Sequence, residues 1–237
     1  MSTTKFAIVG AGAISQGYAQ AFNACDECEV VAVADIRPEA AASLADVLNC
    51  QHFTSYQQMA DDCQIDAVLV CTPPSTHPEI CTHFIERYVH VLCEKPFAVS
   101  VEEAEKVVDA ARAMDVRLTM ASKFRYVDDV IKAKQIVDSG ILGDIILFEN
   151  AFTARVDMSS RWNSDPTISG GGVLIDNGTH SFDIARYFLG PLAEVQVMEG
   201  KRSQGLSVEE TVRIFVRSAQ GVIGNIDLSW SINKELD

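Results

Sequence analysis

The chain has 237 residues, of which 48% are hydrophobic and 7 are proline, so it is neither disordered nor fibrous and can form one large or two modest domains. Its 33 acidic residues outnumber 19 Lys and Arg, and a formal charge of −14 repels nucleic-acid backbones and anionic membrane surfaces. No apolar run approaches the roughly 20 residues of a membrane-spanning helix, and the N-terminus lacks a signal-peptide pattern. We therefore expect a cytoplasmic protein without nucleic-acid or membrane partners.

Residues 1–122 alternate short apolar runs with amphipathic helical stretches. Five runs read as strands, and they are almost continuously apolar, as strands buried on both faces of a parallel sheet must be. The strands begin at Lys5 and Val116 or end at Asp35, Cys71 and Glu94. The predicted helices are Ala13–Ala24, Pro38–Leu48, His77–Tyr88 and Ser100–Met114. This alternation predicts an α/β domain with a doubly wound parallel sheet.

The pattern changes after residue 122. A helix over Val127–Ser139 precedes one long strand over residues 143–156, a glycine-rich loop at Ser169–Gly172 and a helix over Asp176–Leu189. Three strand-like segments follow at residues 193–204, 208–218 and 221–232 with short turns between them. Consecutive strands without intervening helices indicate antiparallel pairing, so residues 123–237 are predicted to form a second, α+β domain with a mostly antiparallel sheet.

A glycine-rich turn joins the first predicted strand to the first helix. Gly10 permits a tight turn, and Gly12 lets the backbone approach a pyrophosphate at the helix N-terminus, where Ala13 and Ile14 follow. Ser15 replaces the third glycine of the usual motif and still allows close packing between helix and strand. This strand–turn–helix context predicts an NAD(P)-binding Rossmann domain over residues 1–122, against the alternative of a turn that binds no nucleotide.

Asp35 ends the second predicted strand, 23 residues after Gly12. A carboxylate at this place accepts hydrogen bonds from an adenosine ribose and repels a 2′-phosphate, which favours NAD over NADP. Arg37, two residues later, could reach a 2′-phosphate instead, so both cofactors stay open.

The third long strand ends in the sequence T-P-P-S-T-H, residues 72–77. Two prolines form a rigid loop at the strand end where ligands of open α/β sheets bind, so Thr72 and Pro73 are predicted to contact the cofactor, with simple loop stiffening as the alternative. His77 is included in this predicted cofactor site, and its place also fits a histidine at a helix start or on the surface rather than a catalytic one.

Seven cysteines are scattered along the chain, mostly in apolar runs. Cys25 and Cys28 form a C-x-x-C pair, but no second pair or histidine follows at zinc spacing. We expect reduced thiols and no metal site.

The next predicted strand ends in Glu94-Lys95-Pro96, which places a lysine at the edge of the sheet where a nicotinamide would lie. From Lys5 to about Trp230 the sequence resembles the Gfo/Idh/MocA family of NAD(P)-dependent oxidoreductases. The motifs that carry this resemblance, in chain order, are the glycine loop, the T-P-P-x-x-H segment, Glu94-Lys95-Pro96, Phe124-Arg125-Tyr126 and the segment GGGVLIDNGTH that ends at His180.

The resemblance implies three catalytic residues, Lys95, Asp176 and His180. Asp176 and His180 are four residues apart and share a helix face, which Asp183 extends. The implied reaction transfers a hydride between the nicotinamide and a carbinol carbon: His180 takes the hydroxyl proton, Lys95 binds the same oxygen, and Asp176 orients substrate or imidazole. Members of the family differ in whether the lysine or the histidine is regarded as the base. Glu94 is expected to organise the lysine loop and to belong to the cofactor site.

The substrate is expected to be a sugar, inositol, dihydrodiol or similar polyhydroxylated molecule. Arg125, Arg161 and Trp162 are further candidates to bind it, together with Lys95, Asp176 and His180, although Arg161 and Trp162 could equally anchor their loop. The loop before Asp176 also contains Arg155, Asn163 and Asp165, and Lys123 lies with Arg125 at the domain junction.

An alternative function is a non-catalytic dinucleotide-binding or sensor protein that keeps this fold. The resemblance also implies a homo-oligomer formed through the outer face of the second-domain sheet. Family members usually continue beyond the strand that matches GNIDLSWSI, so we expect the second domain, whose implied role is substrate binding and oligomerisation, to be incomplete at Asp237.

Overall fold

The structure is a computed structural model that describes residues 3–232. These residues divide into two compact units, one up to Ala121 and the other from Ser122 onwards. Within residues 3–232 no helix is both long enough and apolar enough to cross a membrane.

The first unit is a parallel sheet flanked by helices. Its six strands are β1 (Thr4–Val9), β2 (Cys28–Ala34), β3 (Gln51–Phe53), β4 (Ala67–Val70), β5 (His90–Cys93) and β6 (Leu118–Met120). They are hydrogen-bonded in the order β3-β2-β1-β4-β5-β6, and every neighbouring pair is parallel. The helices are α1 (Ala13–Asn23), α2 (Pro38–Leu48), α3 (Tyr56–Asp62), α4 (His77–Ile85) and α5 (Val101–Ala113). This strand order, with its reversal between β1 and β4, is that of dinucleotide-binding domains, so the predicted doubly wound sheet is confirmed.

Both faces of this sheet are buried. Along β1, Ala7 and Val9 face one apolar cluster, whereas Ile8 between them faces another. In the same way Val68 and Val70 of β4 lie in the first cluster and Leu69 lies in the second. The continuous apolar runs in the sequence follow directly from this two-sided burial.

Two elements of the first unit were missed and one predicted helix was too long. Strand β3 is a three-residue edge strand with two exposed residues, and α3 has seven residues, so neither carries a full hydrophobic period. Helix α4 ends at Ile85 rather than at the predicted Tyr88, because Tyr88 adopts a left-handed backbone conformation with φ of 62° that a helix cannot include.

The second unit combines a four-stranded sheet with helices. Its elements are α6 (Asp128–Asp138), β7 (Leu147–Thr153), α7 (Pro166–Ser169), α8 (Val173–Leu189), β8 (Leu192–Glu199), β9 (Thr211–Ser218) and β10 (Ile223–Ser229). The strand order is β7-β10-β9-β8, with antiparallel β8–β9 and β9–β10 pairs and a parallel β7–β10 pair. The mostly antiparallel sheet predicted from the sequence is therefore confirmed.

Several boundaries in the second unit differ from the prediction, and β8, for example, ends at Glu199 rather than at residue 204. Strand β7 begins at Leu147 and not at residue 143, because its partner β10 begins at Ile223, the residue paired with Leu147. Helix α8 begins at Val173, three residues before the predicted start, because residues that follow β8 supply hydrogen-bond partners to its first turn.

Helix α8 packs on the inner face of the sheet. Val212, Ile214 and Val216 alternate along β9 and are buried there, with Val173 and Ala185 of α8 in the same cluster. A methyl group added at Gly178 of α8 would come within 3.2 Å of the Leu228 side chain, so this glycine allows a close approach of the helix to the sheet. The packing fixes the helix that carries the predicted catalytic Asp176 and His180.

Candidate functional site

The loop after β1 suits a phosphate group. Gly10 has a φ of +98°, and a Cβ there would lie 2.7 Å from the carbonyl carbon and oxygen of Cys71, so only glycine fits. Gly12 is the N-cap of α1, and no described heavy atom lies within 4 Å of the place where its Cβ would be. Among the described residues, the first turn of α1 carries no acidic side chain that would repel a phosphate. Open space at an uncovered helix N-terminus can hold a pyrophosphate against the amides near Ala13 and Ile14.

Ser15 takes the third position of the glycine motif without disturbing the packing. Its side chain is fully buried, and its hydroxyl donates a hydrogen bond of 2.5 Å to the carbonyl of Gly10. Serine at this position of the motif therefore connects the glycine loop to α1 through a hydrogen bond.

Asp35 lies beside the glycine loop, directly after β2. Its Oδ2 accepts a hydrogen bond of 2.7 Å from the Ala11 amide, and its Oδ1 accepts one of 2.8 Å from the Arg37 amide and one of 3.2 Å from Arg37 Nε. Burial alone would raise the pKa of Asp35, but the hydrogen bonds from Arg37 and Ala11 outweigh it and lower that pKa. Asp35 is thus an anion next to the loop, and the exposed Arg37 guanidinium is paired with it.

His77 is fully buried at the first residue of α4. Its Nε2 lies 2.7 Å from the Thr72 carbonyl oxygen and its Nδ1 lies 3.0 Å from the Pro96 carbonyl oxygen. Burial lowers the pKa of His77, although the carbonyl contacts oppose this. The interpretation as a helix-start histidine is confirmed and that as a surface histidine is wrong. The ring connects the loop after β4, where Thr72 and Pro73 lie, to the segment after β5.

Lys95 follows β5 in a segment held by Glu94. Glu94 Oε2 accepts a hydrogen bond of 3.0 Å from the main-chain amide of Lys95, and Glu94 Oε1 accepts one of 2.7 Å from the hydroxyl of Tyr18 on α1. Glu94 thus connects the main chain of Lys95 to α1, and its role in organising the lysine loop stays a prediction. Tyr18 was not among the predicted site residues, and the one local signal for it is its place a helical turn after the buried Ser15, on the same side of α1.

Asp176 and His180 project from neighbouring turns of α8. Asp176 is in the first turn, and His180 is 8% exposed, with its ring against Phe124 and Phe152 at centroid distances of 4.8 and 6.2 Å. Because Val173–Leu189 is one α-helix, Asp176 and His180 share a helix face, as their spacing predicted. The two aromatic rings therefore pack edge-to-face against the imidazole.

The N-terminus of α8 is capped by a residue that sequence reasoning missed. Glu209 Oε1 accepts hydrogen bonds of 2.8 Å from the Gly172 amide and 3.1 Å from the Leu174 amide. A side chain at Gly172 would clash with the Glu209 backbone, 2.0 Å from its carbonyl oxygen. The glycine-rich loop predicted before this helix therefore serves a close approach of two backbone segments.

Arg125 is held by α8. Its Nε lies 2.8 and 2.7 Å from the two carboxylate oxygens of Asp183, and its guanidinium lies 5.3 Å from the centroid of the Tyr187 ring. The ion pair connects the segment of Phe124 to α8 one turn beyond His180. Whether Arg125 also binds substrate stays a prediction.

The loop before α7 carries the remaining candidates. Trp162 begins a short 3₁₀ turn and is 43% exposed, and Arg161 beside it is exposed as well. Asp165 anchors the loop by accepting a hydrogen bond of 2.9 Å from the Thr167 amide. Substrate binding by Arg161 and Trp162 stays a prediction.

The structure brings the cofactor candidates of the first unit to one edge of its sheet. Gly10, Asp35, Thr72 and Lys95 follow β1, β2, β4 and β5, and parallel strands end at a common edge. Among residues 3–232 no group of three His, Cys, Asp or Glu side chains is arranged to hold a metal ion.

Two family models match the chain. The model described as the oxidoreductase family with the NAD-binding Rossmann fold matches residues 4–122, and the GFO/IDH/MocA C-terminal domain matches residues 130–236.

Known relatives agree with these matches. Inositol 2-dehydrogenase of Rhizobium meliloti is 27% identical over 231 residues, which are 95% of this chain and 63% of that protein. The structure of GenD2 from gentamicin A biosynthesis in complex with NAD is 26% identical with a TM-score of 0.92, covering 99% of this chain and 68% of that one. Levoglucosan dehydrogenase in complex with NADH and levoglucosan is 25% identical with a TM-score of 0.90, covering 98% and 68%. The chain spans 53 to 66% of the length of the first curated relatives that it matches. On its sequence and its fold, this chain belongs to the Gfo/Idh/MocA oxidoreductase family.

Proposed function

We propose that this chain carries the activity of an NAD(P)-dependent dehydrogenase or reductase that interconverts a CH–OH and a C=O group of a sugar, inositol, dihydrodiol or similar polyhydroxylated substrate. The observation that carries the proposal is the Lys95 segment, fixed by Glu94 at the sheet edge where the glycine loop also lies. The names of the relatives support the substrate class, since they include an inositol 2-dehydrogenase and a levoglucosan dehydrogenase.

Residues 1–122 form the cofactor domain of this proposal. Gly10, Gly12, Ala13 and Ile14, at the N-terminus of α1, would hold the pyrophosphate. The other cofactor contacts come from Asp35, Arg37, Thr72, Pro73, His77, Glu94 and Lys95. His77 is buried, and its proposed contribution is to hold the Thr72 carbonyl and the lysine segment in place.

NAD is the favoured cofactor because Asp35 is an anion beside the glycine loop. Its carboxylate accepts hydrogen bonds from a ribose diol and repels a 2′-phosphate. Arg37 is paired with Asp35, so NADP binding requires that this guanidinium leave the carboxylate. Fluorescence titration with NADH and NADPH tests this preference, and tighter binding of NADPH would contradict it.

The chain supplies proton transfer and charge stabilisation. A bound nicotinamide ring supplies the hydride acceptor for oxidation. Lys95 donates a hydrogen bond to the reacting oxygen and stabilises its developing negative charge. His180 receives the hydroxyl proton, and Asp176 orients the substrate hydroxyls or the imidazole. Arg125, Arg161 and Trp162 are the further residues proposed to bind substrate.

Residues 123–237 form the substrate-binding domain and, we infer, the surface through which two copies associate. On the outer face of the sheet Leu147, Phe215 and Ile223 are 53, 44 and 49% exposed. The charged pair of Arg213 and Asp227 lies on the same sheet. Exposed apolar side chains flanked by charged ones are typical of an interface. Size-exclusion chromatography with light scattering tests the association, and a monomer at every concentration would contradict it.

Absorbance at 340 nm tests the enzyme against the alternative of a non-catalytic sensor. The chain is mixed with NAD or NADP and a panel of inositols, sugars and dihydrodiols, and NADH binding is measured separately by fluorescence. We expect turnover of at least one compound. Binding of the cofactor without turnover of any compound would favour the sensor, although such a protein has no need of Lys95, Asp176 and His180.

A further inference from the structure

We infer that Tyr18 is a positioning residue for Lys95, because its hydroxyl holds Glu94 and Glu94 in turn holds the main chain of Lys95. The two hydrogen bonds, of 2.7 and 3.0 Å, use the two different oxygens of one carboxylate. They form a continuous connection from α1 to the segment after β5. The importance of Lys95 itself rests on the proposed function, whereas the connection does not.

The position of the Tyr18 hydroxyl is fixed by packing. The ring is partly buried and packs against the apolar cluster that contains Ile8, Leu69 and Cys71. Burial and, next, the hydrogen bond to Glu94 raise the pKa of Tyr18, so its proton stays on the phenol and is donated to the carboxylate. A partly buried ring that packs on this cluster and donates from its polar tip therefore supports Glu94.

The other end of the lysine segment is held as well. The carbonyl of Pro96 lies 3.0 Å from the ring of His77, at the first residue of α4. The main chain on both sides of Lys95 is thus connected to a helix, to α1 through Glu94 and to α4 through Pro96. With its main chain held on both sides, Lys95 has the kind of support that precise placement of a reacting group requires.

Helix α1 gives this connection a second consequence. Its N-terminus carries the glycine loop with Gly12, and Tyr18 lies less than two turns further along the same helix. The same helix therefore carries the proposed phosphate-binding loop at its start and the tyrosine that supports the lysine segment. Loss of the Tyr18 hydroxyl is expected to disturb Lys95 while leaving the glycine loop intact.

Hydrogen exchange tests the connection without substrate or cofactor. We compare the exchange rate of the Lys95 amide in the wild type, Tyr18→Phe and Tyr56→Phe by NMR. Tyr56 is a matched control, because its hydroxyl donates a 2.6 Å hydrogen bond to Glu79 of the same unit. We expect the Lys95 amide to exchange about tenfold faster in Tyr18→Phe and unchanged in Tyr56→Phe. An unchanged Lys95 rate in Tyr18→Phe overturns the proposal.

Two further measurements separate positioning from general destabilisation and from failure of the proposed function. If hydrogen exchange of the β4 amides became equally faster in Tyr18→Phe, the variant would be destabilised as a whole. That result would also overturn the proposal for Tyr18. With a substrate that the wild type oxidises, we expect kcat to fall ten- to hundredfold in Tyr18→Phe while the dissociation constant of NADH stays within about twofold. If the wild type oxidises nothing, the proposed function fails and the exchange rates alone decide the role of Tyr18.

Discussion

His180 and Phe124 form an edge-to-face ring pair, with centroids 4.8 Å apart and ring planes at 85°. Phe124 belongs to a short 3₁₀ turn before α6, whereas His180 is on α8, so the pair connects two segments of the second unit. Phe152 of β7 lies against both rings. The orientation of the proposed proton acceptor therefore depends on aromatic residues outside its own helix.

Replacing Phe124 by leucine is expected to lower kcat three- to tenfold, because it keeps apolar volume but removes a ring pair worth about 0.5–1.5 kcal/mol. The dissociation constant of NADH should not change. Phe188→Leu, which removes a ring pair with Tyr187 on the same helix, is the control and should leave kcat intact. Steady-state kinetics measures both variants, and equal losses of kcat in the two would contradict a specific role for Phe124.

Glu209→Ala removes the cap of α8. We expect a loss of about 1–2 kcal/mol in the free energy of unfolding, since two amides at the helix start lose their acceptor and a carboxylate leaves the positive end of the helix dipole. Urea unfolding followed by tryptophan fluorescence measures this, because both tryptophans of the chain, Trp162 and Trp230, are in the second unit. The exposed Glu199 is the control, and Glu199→Ala should lower the free energy of unfolding clearly less than Glu209→Ala.

Glu210 is a fully buried carboxylate that makes the second unit sensitive to acid. It accepts hydrogen bonds from the amides of Ser203 and Gln204 and from the hydroxyl of Ser231. Burial opposes ionisation, but these hydrogen bonds lower the pKa of Glu210 from 4.5 to about 2. A carboxylate with a lowered folded pKa stabilises the fold above its unfolded pKa and loses that contribution as the pH falls.

We therefore expect Glu210 to contribute about 3 kcal/mol above pH 4.5, a contribution lost progressively between pH 4.5 and 2. Urea unfolding at pH 7, 4 and 3 measures how the free energy of unfolding changes with pH. In Glu210→Gln the free energy of unfolding should be lower at pH 7 and should depend less on pH in this window. An acid slope identical to that of the wild type would show that other carboxylates cause it.

Cys25 is expected to be the most reactive thiol. The Cys28 thiol donates a hydrogen bond that, with the amide of Glu27, lowers the pKa of Cys25, and Cys25 is exposed. Burial raises the pKa of Cys28 to about 11. Mass spectrometry after brief iodoacetamide treatment at pH 7 should find the label on Cys25 first. In Cys28→Ala, which removes the donor, the labelling of Cys25 should be slower at this pH. First labelling of a buried cysteine such as Cys71 would contradict the assignment.

The sequence was most informative where a signal is local. Strands β1 and β4 are buried on both faces, so their continuous apolar runs indicated a parallel sheet, and the spacing of Asp176 and His180 placed both on one helix face. Strand β3 and helix α3 were missed because they are short and lie at or near the edge of the sheet. Their residues bury too little apolar surface to leave a periodic pattern.

Contacts between distant residues could not be predicted. Tyr18 and Glu94 are 76 residues apart, and Glu209 meets Gly172 across 37 residues. No spacing or composition rule encodes such a pair, because it depends on which elements the fold brings together. The sequence therefore identified the candidate reacting groups but not the residues that support them, and it mistook His77 for a possible surface residue because polar character alone does not reveal burial.

The most direct test of the proposed reaction is the turnover of Lys95→Met and His180→Ala, measured by absorbance at 340 nm with NAD and a substrate that the wild type oxidises. We expect each variant to lose at least about a hundredfold in kcat, because each removes a group that stabilises charge or accepts the proton. NADH should still bind each variant with nearly unchanged affinity, since the glycine loop and Asp35 remain. Turnover retained in both variants would contradict the assignment of Lys95 and His180 as the catalytic residues.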